Sequence, residues 1–195
     1  MARPCANTDA TPARQRITDA FFALLSEGGY SDVTARTLAS RAHVSPNTIY
    51  YHFDCIFDVA RCAVEEELSS ELALFLISPE WKDSSALASL LSGPSNAKRF
   101  ERIRLVAASE NAQLTTLLTE AVKGKWLDAV GVDEESLSVE QSQDLRFIFR
   151  GAIDLLASLE SGSDLAALPT FFDRPLGMGV RETLMNLMLE DRALS

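Results

Sequence analysis

The 195-residue chain has no uninterrupted apolar run longer than Leu72 to Ile77. A membrane-spanning helix needs about 20 such residues, so no membrane segment is expected. The opening stretch MARPCANTDATPARQR has nothing that would serve as the apolar part of a signal peptide, and the expected location is cytoplasmic. Cysteine is scarce: Cys5, Cys55 and Cys62 form an odd set without a CxxC pair, which excludes a disulfide framework and reads as free thiols in a reducing compartment. Seven prolines and nine glycines exclude collagen-like and low-complexity chains. Enzyme signatures are missing too: no GxSxG, no P-loop, no GxGxxG after a strand and no HExxH. Acidic pairs occur without a distinguishing context, so neither catalysis nor a cofactor is expected. Positive charge is in deficit, with 18 Lys and Arg against 28 Asp and Glu and a formal net charge of −10. That excludes loose, sequence-blind nucleic-acid binding, which depends on a cationic surface.

What is present is apolar material and an uneven spread of charge. Hydrophobic residues make up 47% of the chain, enough for a core without covalent staples. Residues 1–62 carry six arginines against six acids, a formal sum of zero, whereas residues 63–195 hold 12 bases against 22 acids. Both histidines, His43 and His52, lie in the first part. Apolar residues recur at helical spacing nearly throughout, and no convincing strand alternation is found; the fold class is all-α. The clearest helix carries Ile17, Ala20, Phe21, Leu24 and Leu25 on one face and ends at Gly28-Gly29. A second spans about 35–42 with Thr34 as N-cap and Val33 stapled to Leu38. A third starts at Ser45 with Pro46 in its first turn, and Val44 and Ile49 repeat the staple. A long fourth begins near Cys55, with a stripe running from Ile56 through Val59, Ala60, Ala63, Val64 and Leu68 to Leu72, Phe75 and Leu76. Further helices are expected at 84–91, 98–109, 113–130 (with Gly124 as a candidate bend), 139–159 and 176–189, separated by Ser92-Gly93-Pro94-Ser95, an acidic loop at 131–138, and a stretch opening at Ser161-Gly162-Ser163.

Residues 33–53, VTARTLASRAHVSPNTIYYHF, place two short capped helices around a tight turn at Ala42-His43-Val44. This is helix-turn-helix spacing, in which the second helix enters a DNA major groove. Leu38, Ala39 and Ile49 point inward and fix the angle between the helices. Ser45, Asn47, Thr48, Tyr50, Tyr51 and His52 are the hydrogen-bonders and flat rings such a helix would present. Asparagine bonds an adenine edge in a bidentate manner, and Thr or Tyr touches a thymine methyl group or a phosphate.

Residues 14 to about 64 resemble the TetR family of bacterial transcriptional regulators. The resemblance rests on the amphipathic first helix, the Gly-Tyr-x-x-Val-Thr turn from Gly29 to Thr34, the stretch LASRAHVS and the block TIYYHF. It implies a helix-turn-helix DNA-binding domain at 13–54 and a helical ligand-binding and dimerisation domain at 55–195. It further implies that Thr34 and Arg36 contact backbone or a base, and that Asn47, Thr48 and Tyr51 face bases. Tyr50 and His52 would hold phosphates, and Arg14 and Arg16 would reach the minor groove or a phosphate. Two positions depart from the family pattern. His43 stands where the family usually has Gly, and Asp54, Cys55 and Ile56 occupy the start of the fourth helix, where it often has Lys.

A single short helix reads too few base pairs, so the expected form is a homodimer holding two reading helices about 34–36 Å apart on a palindromic operator. The expected seam is Leu145, Phe149, Ala152, Leu156, Val180, Leu184, Leu187 and Met188, from the last two long helices. A small-molecule effector is expected among the middle helices, with Phe100, Ile103, Arg104, Trp126 and Phe147 as candidate lining and Trp81 as a further aromatic. Lys98, Arg99, Arg102 and Arg104 beside Glu101 read as a solvated basic face or as an anchor for an anionic ligand. His52, Cys55, Asp58 and Cys62 have spacings that invite a metal, but the break between helices at Phe53-Asp54 argues against a shared face, and no metal is expected. The alternative to a regulator is a helical ligand-binding protein whose DNA affinity is weak or lost.

Overall fold

Alternating caps and buried stripes build the chain into helices stacked around two apolar clusters. The computed structural model describes residues 12–68, 94–159 and 173–194. Its helices are α1 (Pro12–Gly28), α2 (Ala35–Ala42), α3 (Pro46–His52), α4 (Ile56–Glu67), α5 (Pro94–Ala107), α6 (Ala112–Val130), α7 (Val139–Ala157) and α8 (Pro175–Leu194). Two short 3-10 turns join them, Tyr30–Asp32 and Glu134–Ser136, and no strand occurs among the described residues. None of these helices is long and apolar enough to cross a membrane.

Local chemistry sets each boundary of the first three helices. Gly29 ends α1 at φ 81°, ψ −178°, a region in which essentially only glycine sits without strain. Thr34 caps α2 in a reciprocal box: its hydroxyl accepts from the Thr37 N–H at 3.2 Å, and its own N–H donates to the Thr37 hydroxyl at 2.9 Å. His43 closes α2 in the left-handed region, at φ 53°, ψ 49°. This lets the Val44 N–H reach back to the Ala39 carbonyl at 3.0 Å. Ser45 then caps α3 by accepting from the Thr48 N–H at 3.2 Å, with Pro46 in the first turn. The turn expected at 42–44 is therefore a left-handed helix stop followed directly by a capped start.

The first cluster joins Ile17, Phe21, Leu25, Leu38, Ile49 and Phe53 to Val59 and Val64 of α4, and continues into Ile103, Val106, Leu114, Leu118 and Ile153. Helix α1 packs on α2, α3, α4 and α5, so one continuous core ties the first three helices to those that follow. The second cluster lies farther along the chain and holds Trp126, Leu127, Val132, Leu145, Phe149, Leu184 and Leu187.

Several expectations are corrected. Helix α4 stops at Glu67, and Leu68 turns to extended backbone (φ −80°, ψ 123°), so the continuous stripe expected beyond it breaks there. Leu72, Phe75, Leu76, Trp81, the helix at 84–91 and the loop at 161–163 lie outside the described residues. Helix α5 starts at Pro94 rather than Lys98, because proline suits a first helical turn as well as a break. Helix α6 runs on across Gly124. Cys55 is free and exposed as expected, but Cys62 is buried and disulfide-bonded, not a free thiol.

The expected dimer seam is also redistributed. Leu145, Phe149, Leu184 and Leu187 are buried within one chain, in its second cluster, with Val180 and Met188 packed against them. Leu156 packs against the first cluster, and Ala152 is exposed. The helical period explains it: Val180, Leu184, Leu187 and Met188 share the face of α8 that turns to the chain's own α7. Among the described residues, the large apolar side chains left outside on these two helices are Val139, Phe147, Leu176, Met178 and Met185.

Candidate nucleic-acid interface

The recognition helix α3 is held from behind by one residue, Ile49, which is fully buried in the first cluster. Most of what flanks it projects. Tyr51 is 75% and Tyr50 58% exposed, the largest apolar rings on the surface of the first three helices. Ser45, Pro46 and Asn47 are exposed beside them, and Thr48 is half-buried, its hydroxyl 2.9 Å from that of Ser45. Large rings and an unpaired amide on a rigid, doubly capped helix are what reading base edges requires: hydrogen-bonding groups and flat surfaces whose positions do not have to be ordered on contact.

His52 sits at the other end of α3, half-buried, its ring 4.9 Å from that of Tyr51 in an edge-on contact. Burial and the neighbouring Arg14 charge hold its pKa below the ordinary histidine value. It is therefore a neutral ring near pH 7, able to donate one N–H to a phosphate without carrying charge. Arg14 itself is engaged inside the chain. Its guanidinium lies 5.1 Å above the Phe53 ring and its Nε is 3.3 Å from Glu66. Arg14 thus supports the end of α3 rather than extending toward a groove, unlike its expected role. Arg16 and Arg36 are exposed, and neither has an ion pair among the described residues. Thr34 is exposed but spends its hydroxyl on the α2 cap. Arg41 is held across α1 and α2 by Glu27 in a two-pronged pair at 2.7 and 2.5 Å.

At the start of α4 the N-cap is Cys55, which makes no side-chain cap bond. Asp54 is exposed, and its N–H donates to the buried Asp58 carboxylate at 3.1 Å. Asp58 in turn pairs with Arg61. Acid in the first turn suits the helix dipole, and the one nearby cation is already committed within the chain. Cys62, being disulfide-bonded, supplies no thiolate to a metal, and among the described residues no group of three His, Cys, Asp or Glu is placed to hold an ion.

The candidate effector residues are not brought together. Ile103 is in the first cluster and Trp126 in the second, its ring centroid 5.9 Å from that of Phe149. Phe100 is buried, while Phe147 is 74% exposed and lines no interior space. Arg104 pairs with Glu101 at 3.0 Å and donates to the Leu159 carbonyl at 3.2 Å. The basic run from Lys98 to Arg104 divides: Lys98 and Arg99 are exposed, as a solvated face would have them, whereas Arg102 and Arg104 are largely buried, and each of the four has a carboxylate partner in the chain. Sequence reasoning missed this, because Asp19 and Glu67 lie far away along the chain and nothing in the local pattern links them to it.

Residues 17–54 match the family model described as bacterial regulatory proteins, tetR family. The HTH-type transcriptional repressor KstR of Mycobacterium tuberculosis (strain ATCC 25618 / H37Rv) is 33% identical over 118 residues, 60% of this chain and 47% of that protein. The matched stretch thus spans about half the length of that relative. The crystal structure of the TetR family repressor AlkX from Dietzia sp. strain DQ12-45-1b, implicated in biodegradation of n-alkanes, overlays 93% of this chain and 100% of its own. Its TM-score is 0.45 at 19% identity, too loose an overlay to compare helix with helix. Over residues 17–54 the chain is thus similar to the tetR family of bacterial regulatory proteins.

Proposed function

We propose that the chain is a transcriptional regulator of the repressor type that reads a palindromic operator as a homodimer and is released by a small-molecule effector. The observation that carries this is the pair of exposed rings, Tyr50 and Tyr51, on a short helix capped at both ends and anchored through Ile49. Two adjacent exposed rings form the kind of apolar patch, rimmed by polar groups, that marks an interaction site. In this reading Asn47, Thr48 and Tyr51 face bases, Tyr50 and His52 meet phosphates, and Arg16, Thr34 and Arg36 add backbone contacts. Residues 13–54 do the reading and 55–195 bind the effector and the second subunit, a division by task across a continuous core.

The seam is proposed on the faces of α7 and α8 that point away from the chain's own core: Phe147, with Met178 and Met185. Met178 and Met185 are two turns apart on one side of α8, opposite the Val180 and Leu184 side. We place the effector at Trp126, whose buried indole N–H has no hydrogen-bond partner among the described residues. A largely apolar molecule with one acceptor would satisfy it, since an unpaired buried donor is costly.

The test is selection of duplexes from a random pool by the full chain, with its dimeric state measured in parallel. Enrichment of a sequence with two half-sites about one helical turn apart is expected. A folded dimer that enriches nothing would leave the alternative, a ligand-binding protein with lost DNA affinity. The exposed Asp54 where a cation would meet a phosphate favours that alternative.

A further inference from the structure

Arg102 of α5 grips both ends of the route between the reading helices and the rest of the molecule. One guanidinium nitrogen bonds Asp19 in the middle of α1, and the other bonds Glu67, the last residue of α4, at 2.5 Å. The face of the same guanidinium lies 4.7 Å above the ring of Phe22, also on α1. Its side chain and that of Glu67 are each only 11% exposed. Lys98 and Arg99 sit farther from the same two carboxylates, at 3.8 and 3.9 Å. Helix α1 packs on α2 and α3, so its orientation sets that of the recognition helix. Helix α4 leads away from the recognition helix and packs on α5 and α6.

We infer that Arg102 is a positioning residue for DNA recognition: it fixes the angle of the reading helices against the body by holding α1 and α4 on one planar fork. The inference rests on the proposed reading of the chain as a DNA-binding regulator. The chemistry favours a single set geometry. A guanidinium presents donors in a rigid plane, so bonding two carboxylates from two helices while stacking on a ring determines distance and direction together. Water is scarce on the Glu67 side, so losing that carboxylate leaves part of the charge without a partner, while Asp19 is 42% exposed; in either loss the helix that supplied the carboxylate is free to settle elsewhere. Any shift of α5 is then passed to α1 and α4 at once, which gives an effector bound among the later helices a direct route to the reading helices.

The experiment uses the full chain and the duplex that the wild type enriches from a random pool. Asp19→Asn, Glu67→Gln, the double variant and Arg102→Lys are compared for affinity at fixed salt, thermal midpoint and helix content. Each single variant should bind about tenfold more weakly. The double variant should bind no worse than either single one, because both act through the same fork. Thermal midpoints count each bond separately and should fall further in the double variant. Arg102→Lys keeps the charge but cannot span both carboxylates, and should bind like the single variants. Affinity unchanged in the single variants overturns the inference, as does a loss in the double equal to the product of the singles and tracking stability. A wild type that enriches no duplex removes the functional reading and this inference with it, whereas a binding wild type with indifferent variants removes the inference alone.

Discussion

His43 offers the sharpest test of how the reading helices are joined. It closes α2 at φ 53°, ψ 49° with its side chain exposed. For an L-residue the left-handed region costs about 1–2 kcal/mol, and glycine escapes that cost. Glycine in turn loses more backbone freedom on folding, worth about 0.5–1 kcal/mol. His43→Gly should therefore stabilise the chain by about 0.5–1 kcal/mol, raising the thermal midpoint by about 1–4 °C for a protein of this size. Gly29→Ala should do the opposite. Gly29 has φ 81°, ψ −178°, and a Cβ added there meets nothing within 4 Å. Any loss is then backbone strain rather than collision, of about 1–3 kcal/mol. Thermal unfolding of the two variants beside the wild type checks both signs. Affinity for the selected duplex should be unchanged in His43→Gly, since the turn keeps its geometry. A lower midpoint in His43→Gly, or an indifferent Gly29→Ala, would refute the argument that the turn is set by backbone conformation.

Three further outcomes are expected. The free protein holds the His52 pKa below its ordinary value of 6.5, through burial and then the Arg14 charge; its contribution to stability is complete above that value and is lost as pH falls through it, when the unfolded chain takes up the proton first. A phosphate against the ring would restore the pKa, so duplex affinity should rise as pH drops through about 6.5, and His52→Gln should flatten that rise; an equal rise in the variant places the effect elsewhere. Met178→Glu should yield folded monomers by sedimentation, whereas Leu184→Ala, which opens a cavity in the second cluster, should lower stability by about 2–5 kcal/mol; a Met178→Glu protein that stays dimeric rejects the proposed seam. Cys55→Lys, which restores a cation at the start of α4 and gives up no cap bond, should steepen the salt dependence of binding by about 0.9 per subunit on a logarithmic scale; an unchanged slope means no phosphate lies there.

Legibility followed the range of the interactions involved. The first three helices were readable to within a residue or so because their limits are set by neighbours in sequence: Thr34 with Thr37, Ser45 with Thr48, Pro46 in a first turn. The recognition helix was readable for the same reason, since one buried Ile49 among polar and aromatic residues leaves little choice of face. The face of α8 was not readable. Val180, Leu184, Leu187 and Met188 form a good apolar stripe, but a stripe says only that something covers it, and the chain's own α7 does. Phe147 failed as a pocket residue in the same way: it has the right composition but lies two positions from Phe149, on the opposite side of α7. Arg102 was read as part of a charge run because its partners lie 35 and 83 residues away.

On the proposed function, the placement of charge explains how an acidic chain would carry a reading head that is selective rather than sticky. Of the arginines described in the first three helices and α4, Arg14, Arg41 and Arg61 are engaged by Glu66, Glu27 and Asp58. That leaves Arg16 and Arg36 as the exposed cations with no ion pair among the described residues. Each phosphate neutralised contributes to affinity for every sequence alike, so a head with few open cations gains little from DNA in general. On the proposed reading its affinity comes from groups that distinguish bases, Asn47, Thr48 and Tyr51, and from the donors Tyr50 and His52 that fix register. The internal ion pairs act in the same direction. Every arginine paired with Glu66, Glu27 or Glu67 has its charge offset by a carboxylate and holds one helix against another, so on the proposed function the charge that would have made binding indiscriminate sets the geometry in which a particular sequence is read.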